Sequence, residues 1–219
     1  MKKLKLIVAV TSLSLLIGCA KKDDKQEQSS DNAQKNAQVT KITDNNKNKS
    51  AKSKSDTEMT SESVIGEEAN LEFGKKVIKK AAINLNETHE SGPFRVRLNN
   101  ITINELTPTK DFVEYFGTSD TFTMILVNLT VENTSDKTNS IYPDQSSLVT
   151  NTKEQLVCDG SLSEAIGGEY IGKVIKEGSI LFYTTTKPEE INSVKLVIDA
   201  PHDENLDPIG DKIVIEHQL

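Results

Sequence analysis

The sequence predicts an all-β protein, an antiparallel sandwich of two sheets, and three observations support this class. First, residues 121–133 place an apolar side chain at every second position, namely Ile125, Val127, Leu129 and Val131. This is the period of a strand with one buried face. Second, about eight short apolar segments follow one another, with turn residues every eight to twelve positions. Third, no helical period persists in the last two thirds of the chain.

The strand at residues 121–133 is the one around which the others are expected to assemble. Its first half is apolar on both faces, because Phe122, Met124 and Leu126 alternate with Ile125 and Val127. We therefore expect this half to lie between two layers or beneath a loop.

Two strands are predicted upstream of it. Residues 77–85 predict an edge strand protected by lysines, with a short helix at 67–80 as the alternative. Residues 94–103 predict a strand whose apolar parity shifts after Asn99 and Asn100, and a β-bulge at the two asparagines would explain the shift.

The downstream elements are shorter. Residues 107–120 predict a polar loop that closes on Gly117, and residues 160–172 predict an irregular segment. Glu177-Gly178 predicts a turn in which the glycine adopts positive φ. The remaining predicted strands are 140–142, 147–150, 155–158, 180–184, 194–198 and 212–216.

Several of these segments occur in the order found in a known family. They are the strand ending in Asn133-Thr134-Ser135-Asp136, the strand and turn from Leu148 to Glu154, and Gly172-Lys-Val-Ile-Lys-Glu-Gly178 before Ile180-Leu-Phe182. Over roughly residues 92–198 the chain resembles the telokin-like, immunoglobulin-fold domain of unknown function found in Gram-positive bacterial lipoproteins. The resemblance implies an immunoglobulin-like sandwich in the cell envelope, and it implies no catalytic residues. The chain departs from the family at Glu177, where proline is common, and in its tail after Ile198.

The first nineteen residues have the marks of a bacterial lipoprotein signal peptide. Lys2, Lys3 and Lys5 precede an apolar run at residues 6–17 that is too short to span a bilayer. The run ends in Leu-Ile-Gly-Cys19, which looks like a lipobox. We predict that Cys19 carries palmitate-type acyl chains and anchors the protein to the extracytoplasmic face of a Gram-positive cell membrane. An ordinary signal peptide with an incidental cysteine is the alternative.

The rest of the chain divides by composition. Residues 20–70 contain few large apolar side chains and predict a disordered polar linker. Residues 71–219 predict one sandwich domain, since about 150 residues is a usual size for a single core. This domain contains 14 basic and 23 acidic residues, a formal charge of −9. Such a charge argues against binding to nucleic acid or to anionic lipid.

No set of residues predicts catalysis, a cofactor or a metal. His89, His202 and His217 fall in predicted loops or at the terminus, and Cys158 lacks the surroundings of an activated thiol. The acidic segment 199–211 invites a cation, but it lacks the regular Asp and Gly spacing of a calcium loop. The sequence therefore predicts a protein that is not an enzyme.

Four aromatic residues fall in predicted loops, where a binding module presents its contacts: Phe112, Tyr115, Phe116 and Tyr170. The first hypothesis is a membrane-anchored interaction module that binds a protein or an envelope polymer through these residues. The alternatives are an envelope hydrolase, or its regulator, that uses the acidic C-terminal loop, and a structural or stress-response spacer without a ligand. Aromatic residues that cap one end of the sandwich are the simpler explanation of the four positions.

Overall fold

The computed structural model describes residues 60–219. Within this range the strands are β1 (Glu68–Leu71), β2 (Gly74–Ala82), β3 (Glu87–Ser91), β4 (Phe94–Pro108), β5 (Phe122–Asn133), β6 (Asn139–Ile141), β7 (Ser147–Thr150), β8 (Gln155–Val157), β9 (Gly168–Tyr170), β10 (Ile175–Thr184), β11 (Ser193–Ile198) and β12 (Ile213–Gln218). Two single-turn helices, α1 (Ser61–Val64) and α2 (Val113–Phe116), accompany them. The predicted signal peptide, Cys19 and the linker up to residue 59 lie outside the described residues.

Every strand pair is antiparallel, and the strands form two sheets and a ribbon. The large sheet has the order β1-β2-β4-β5-β10, and β3 also pairs with β4. The small sheet has the order β12-β11-β7-β8, and β6 pairs with β9 in the two-stranded ribbon. The predicted all-β antiparallel sandwich is confirmed. In residues 60–219 no helix has the length and hydrophobicity needed to cross a bilayer.

The strand predicted as the organising element has that position. β5 lies between β4 and β10 and pairs with both along almost its whole length. Its register with β4 shifts between Leu98 and Asn100, so the bulge predicted at the asparagines is confirmed. The bulge also divides β4 between two partners, because β3 pairs with residues 94–98 and β2 with residues 101–108.

The main core lies between the large and the small sheet. From β5 it takes the alternating residues Ile125, Val127, Leu129 and Val131, all at most 1% exposed. The small sheet contributes Leu148, Val194, Leu196, Ile198, Ile213 and Ile215 from the opposite side. The two inner faces thus enclose one largely aliphatic core, as two packed sheets require.

In the asparagine-rich turn after β5, the side chain of Asn133 connects several backbone segments. The side chain of Asn133 is fully buried, and its Nδ2 donates to the carbonyl oxygens of Lys137 (2.8 Å), Tyr170 (3.2 Å) and Gly172 (2.9 Å). Its Oδ1 accepts from the backbone N–H of Ser135 at 3.2 Å. A single amide therefore satisfies buried backbone groups from three segments, which would otherwise lack partners.

Four local features differ from the sequence-based predictions. Glu177-Gly178 is not a turn but part of β10, with Gly178 opposite Leu129. A Cβ at Gly178 would lie 2.7 Å from Ile166 Cγ2, so close packing requires the glycine there, and positive φ does not. The alternative helix at 67–80 is wrong, because β1 and β2 form a hairpin in that region.

The other two corrections concern polar segments. Regular structure begins before residue 71, since Thr60 caps α1 in a reciprocal capping box with Ser63 and β1 follows at Glu68–Leu71. The linker therefore cannot extend to residue 70. The strand β3, Glu87–Ser91, was not predicted because only Ser91 in it is buried. In both cases backbone pairing with a neighbour makes a strand that has no apolar alternation of its own.

Candidate functional site

The outer face of the large sheet carries a second apolar cluster. The residues of β5 that point away from the main core, Phe122 and Met124, pack with Leu106 of β4 and Leu181 of β10. Partly buried residues from β1, from β5 and from the connecting segments pack against them, and these are Leu71, Phe73, Phe116, Leu126 and Leu162. The expectation that the first half of β5 lies beneath a loop is thus confirmed.

Six aromatic rings form one continuous group on this cluster, and we call them the aromatic cluster: Phe73, Phe112, Tyr115, Phe116, Phe122 and Tyr183. Phe116 is at its centre, with ring centroids of the other five between 4.9 and 6.3 Å away. The whole chain has only ten aromatic residues, six Phe and four Tyr. More than half of them are therefore on one outer surface.

The segment between β4 and β5 brings three of these rings into place. Lys110–Phe112 forms a 3-10 turn, and Val113–Phe116 continues it as α2. Gly117 then adopts φ 69°, the left-handed conformation that ends a helix and that glycine adopts without strain. The predicted closure of this loop on Gly117 is confirmed. The tight turns place Phe112, Tyr115 and Phe116 over the outward face of β5.

A carboxylate fixes the position of Tyr115. Its hydroxyl donates to both oxygens of Asp159, at 2.9 and 2.8 Å. Asp159 Oδ1 also accepts the backbone N–H groups of Ser161 (3.0 Å) and Leu162 (3.2 Å). Partial burial, together with the adjacent carboxylate, raises the pKa of the Tyr115 phenol. At neutral pH the hydroxyl is therefore a donor, and the loop at 159–162 is coupled to the ring.

The aromatic cluster is accessible. The side chains of Tyr115 and Tyr183 are 46% and 40% exposed, whereas Phe112 and Phe116 are half-buried beside them. Rings with an apolar body and a polar tip are enriched in recognition surfaces for this reason. Among the four residues predicted as binding contacts, the structure thus brings Phe112, Tyr115 and Phe116 together.

The prediction that Tyr170, the fourth of these residues, is a surface contact is wrong. Tyr170 is fully buried in β9, its ring packs edge-on against Phe94 at 5.2 Å, and its hydroxyl donates to the carbonyl of Ile166. Lys176 Nζ lies 4.2 Å from the ring centroid. Burial raises the pKa of the Tyr170 phenol, and the negative charge of Asp144 adds to the effect. Pairing of β9 with β6 places this residue in the main core.

Sequence reasoning missed half of the aromatic cluster. Phe122 and Tyr183 could have been suspected, because both occupy the outward parity of their strands. Phe73 follows β1 and lies far away in sequence from the loop, with its ring 6.1 Å from that of Phe112. Nothing in the local sequence predicts this contact.

The acidic C-terminal segment is organised by its own backbone. Asp203 Oδ1 accepts the N–H groups of Asn205 (2.8 Å) and Asp207 (3.0 Å). These bonds, that of Asp207 first, lower the pKa of the Asp203 carboxyl. Asp199 pairs with Lys212 at 2.7 Å. Within residues 60–219 no three His, Cys, Asp or Glu side chains are grouped closely enough to hold a metal ion.

Cys158 and the three histidines belong to different parts of the fold. Cys158 is buried, its Sγ lies 3.3 Å from the Ser163 hydroxyl, and burial raises the pKa of its thiol. His89 lies in β3 rather than in a loop, and His217 lies in β12, where its Nδ1 is 3.2 Å from Glu87 Oε1. His202 forms an isolated bridge to Ser140. The side chain of Cys158 thus bonds to Ser163 and that of His217 to Glu87, and not to one another.

Comparison with known proteins gives a general class and a fold. No family model matches the chain. Over 96 residues it is 32% identical to the SPbeta prophage-derived uncharacterized lipoprotein YonS of Bacillus subtilis, a match covering 42% of this chain. The chain spans about half the length of that curated relative, 47%. The relationship supports a lipoprotein as the general class.

The solved structures support the fold alone. A functionally unknown protein from Listeria monocytogenes superposes with a TM-score of 0.52 at 14% identity, covering 73% of this chain and 92% of that protein. The Bacillus subtilis protein ycdA, provisionally described as a lipoprotein, has a TM-score of 0.43 at 16% identity, covering 60% and 38% of the two chains. This second score is too low to add to the fold assignment. The telokin-like assignment therefore stays a prediction.

Proposed function

We propose that this protein is a lipid-anchored, extracytoplasmic binding module that holds a protein or envelope-polymer partner at the aromatic cluster. One observation carries the proposal. Six of the ten aromatic residues lie on a single outer surface, where Tyr115 and Tyr183 remain 46% and 40% exposed. A cluster that served only to cover the sheet would need no such accessible rings, whereas recognition surfaces are enriched in them.

The anchor part of the proposal rests on Cys19 and on the lipoprotein relative. A diacylglyceryl group attaches a protein stably, because each buried CH₂ contributes about 0.8 kcal/mol and a single acyl chain is marginal. Residues 20–59 would then join the anchor to the domain. A flexible linker of this length, as the composition predicts, would have a root-mean-square span of roughly 35 Å and would let the domain reach partners above the membrane surface.

The proposal includes no catalytic step. The buried thiol of Cys158 has a raised pKa, and the three histidines lie on separate elements. The acidic C-terminal segment, which a hydrolase or regulator would use, has its central carboxylate engaged by backbone N–H groups. Binding at the aromatic cluster is therefore better supported than chemistry at residues 199–211.

Site-specific photocrosslinking on intact cells tests the proposal. Tyr115 and Tyr183 are replaced, one at a time, by a photoreactive phenylalanine analogue in the full chain. The same partner should be captured from both positions. It should be absent when the analogue replaces Val214, which is also exposed (47%) but lies on β12 of the small sheet.

Two outcomes would contradict the proposal. Equal capture from Val214 would mean that the aromatic cluster is not the binding surface, and only diffuse background at all three positions would favour a spacer. The Cys19→Ala variant, expressed in the same cells, should appear in the medium. Continued membrane retention of this variant would contradict the anchor and leave the binding surface unaffected.

A further inference from the structure

Two of the segments that border the aromatic cluster are acidic. Residues 110–120 and 159–164 border it and contain five carboxylates against one lysine, Lys110: Asp111, Glu114, Asp120, Asp159 and Glu164. All except Asp159 are exposed. Within residues 60–219 none of the five is joined to a basic side chain by an ion pair. In these two segments five carboxylates outnumber one lysine, so a cation approaching the rings from this side would meet a net attractive field.

Aromatic faces provide a second attraction of the same sign. The π-electrons of Tyr and Phe attract ammonium and guanidinium groups, and the attraction is strongest where water is partly excluded. The protein already uses this contact internally, since Lys176 Nζ lies 4.2 Å from the centroid of Tyr170 and donates to the Gly167 carbonyl at 2.9 Å. Among the described residues no such cation covers Tyr115 or Tyr183.

From these two observations we infer that the aromatic cluster binds a basic segment of a protein partner, seating a Lys or Arg side chain between Tyr115 and Tyr183 beside the Asp159 carboxylate. The inference rests on the proposed function and specifies the partner's chemistry. The domain's formal charge of −9 agrees with it, because an acidic module attracts a basic partner over distances longer than any single contact. A neutral glycan would gain nothing from the five carboxylates.

Fluorescence anisotropy with labelled peptides tests the inference on the full chain in detergent micelles. Three peptides of equal length are used, and they alternate Ser with Lys, with Arg or with Glu. The Lys and Arg peptides should bind, more weakly as salt is added, and the Glu peptide should not. Tyr183→Thr and Asp159→Asn should each weaken binding of the basic peptides by about three- to tenfold.

A matched charge change provides the control. Glu204→Gln removes one exposed carboxylate near Asp136, beyond the far end of β5 from the aromatic cluster, and should leave the peptide affinities unchanged. Tyr183→Thr or Asp159→Asn is not used if it lowers the melting temperature. The double variant Asp111→Asn, Glu114→Gln then takes its place, since the side chains of Asp111 and Glu114 are both exposed. That double variant should also weaken the basic peptides.

Several results would overturn the inference. They are equal binding of the Glu and Lys peptides, an equal loss in Glu204→Gln, or no binding of either basic peptide up to about 1 mM. A partner crosslinked from Tyr115 and Tyr183 through a segment without Lys or Arg would overturn the inference alone, because the binding module would still stand. Failure of both experiments would overturn both proposals.

Discussion

The two apolar clusters of this domain share one strand and differ in almost every other respect. The main core is enclosed between two sheets and uses mostly aliphatic residues, with Phe94, Tyr170 and Phe182 as its aromatic members. The aromatic cluster lies on the outer face of the large sheet, beneath a short loop, and its rings are partly in contact with water. Each cluster contains alternate residues of β5, from opposite faces of the strand.

The difference shows how composition follows from position. β-branched and leucine side chains fill the pleated space between two sheets with no polar atom left over. At the outer face only a loop provides cover, so large rings are needed to exclude water, and tyrosine hydroxyls can reach polar partners. We infer that the first cluster holds the fold together and that the second can be modified with a smaller loss of stability.

The largest effect is expected in the main core. Leu129→Ala removes a fully buried side chain opposite Gly178 and Leu98, and should lower the free energy of unfolding by about 2–5 kcal/mol. For a domain of this size the melting temperature should fall by roughly 5–20 °C in calorimetry. Leu206→Ala makes the same chemical change at a residue that is 74% exposed and should have almost no effect. Similar melting temperatures for the two variants would contradict the assignment of the core.

A smaller and local effect is expected in the aromatic cluster. Phe116→Ala removes the central ring but leaves the two sheets packed, so the free energy of unfolding should fall by about 1–3 kcal/mol. Hydrogen exchange should accelerate at the amides of residues 113–117 and stay unchanged in the second half of β5. Faster exchange throughout β5 would mean that the two clusters form one cooperative unit.

The smallest effect is expected at Glu154, whose hydrogen bonds connect the small-sheet side of the domain to the end of β10. Glu154, in the turn before β8, accepts hydroxyl bonds from Thr184 (2.7 Å), Thr186 (2.7 Å) and Thr152 (3.0 Å). These bonds, that of Thr186 first, lower the pKa of the Glu154 carboxyl. Thr184 directly follows Tyr183, so this carboxylate joins the small-sheet side to the strand end that carries the aromatic cluster.

The sign of the pH dependence follows from the lowered pKa. A carboxyl with a depressed pKa in the folded state stabilises the protein above its unfolded value, near 4.5, and this stabilisation is lost as the pH falls through the folded value. Glu154→Gln should therefore reduce stability by about 1 kcal/mol at pH 7, and the two proteins should converge in acid. Urea unfolding between pH 3 and about pH 7 measures this difference. A difference that stayed constant down to pH 3 would contradict the role of the ionised carboxylate.

Much of the fold was predictable because the decisive signals are local. The alternation of residues 121–133 identified β5 to within one residue, and the parity shift at Asn99 and Asn100 identified the bulge. The strand at Glu87–Ser91 was not predictable in the same way, since its side chains are mostly polar and its pairing partner determines it. Gly178 was misinterpreted because the residue that requires a glycine there, Ile166, contacts it only in the folded protein.

The candidate site was predictable only in part, for a related reason. Phe112, Tyr115 and Phe116 occur within five residues of one another, so a loop of aromatics was evident from the sequence. Their contacts with Phe73 and Tyr183 join segments that lie tens of residues apart, and no period or spacing encodes them. Tyr170 was misassigned because a three-residue strand is too short to show alternation.

The segment between β8 and β9 has a consequence for self-association. β10 is an outer strand of the large sheet, and at Ser179 and Leu181 its free edge is covered by residues 159–164. The backbone N–H of Asp159 donates to the Leu181 carbonyl, and that of Glu164 donates to the Ser179 carbonyl. In return, the Glu164 carboxylate accepts the N–H of Ser179, and the Ser163 hydroxyl accepts the N–H of Leu181. An uncovered edge is a template on which a neighbouring copy can add a strand. Copies crowded together on a membrane surface would meet often, and this segment leaves them little backbone to pair with there.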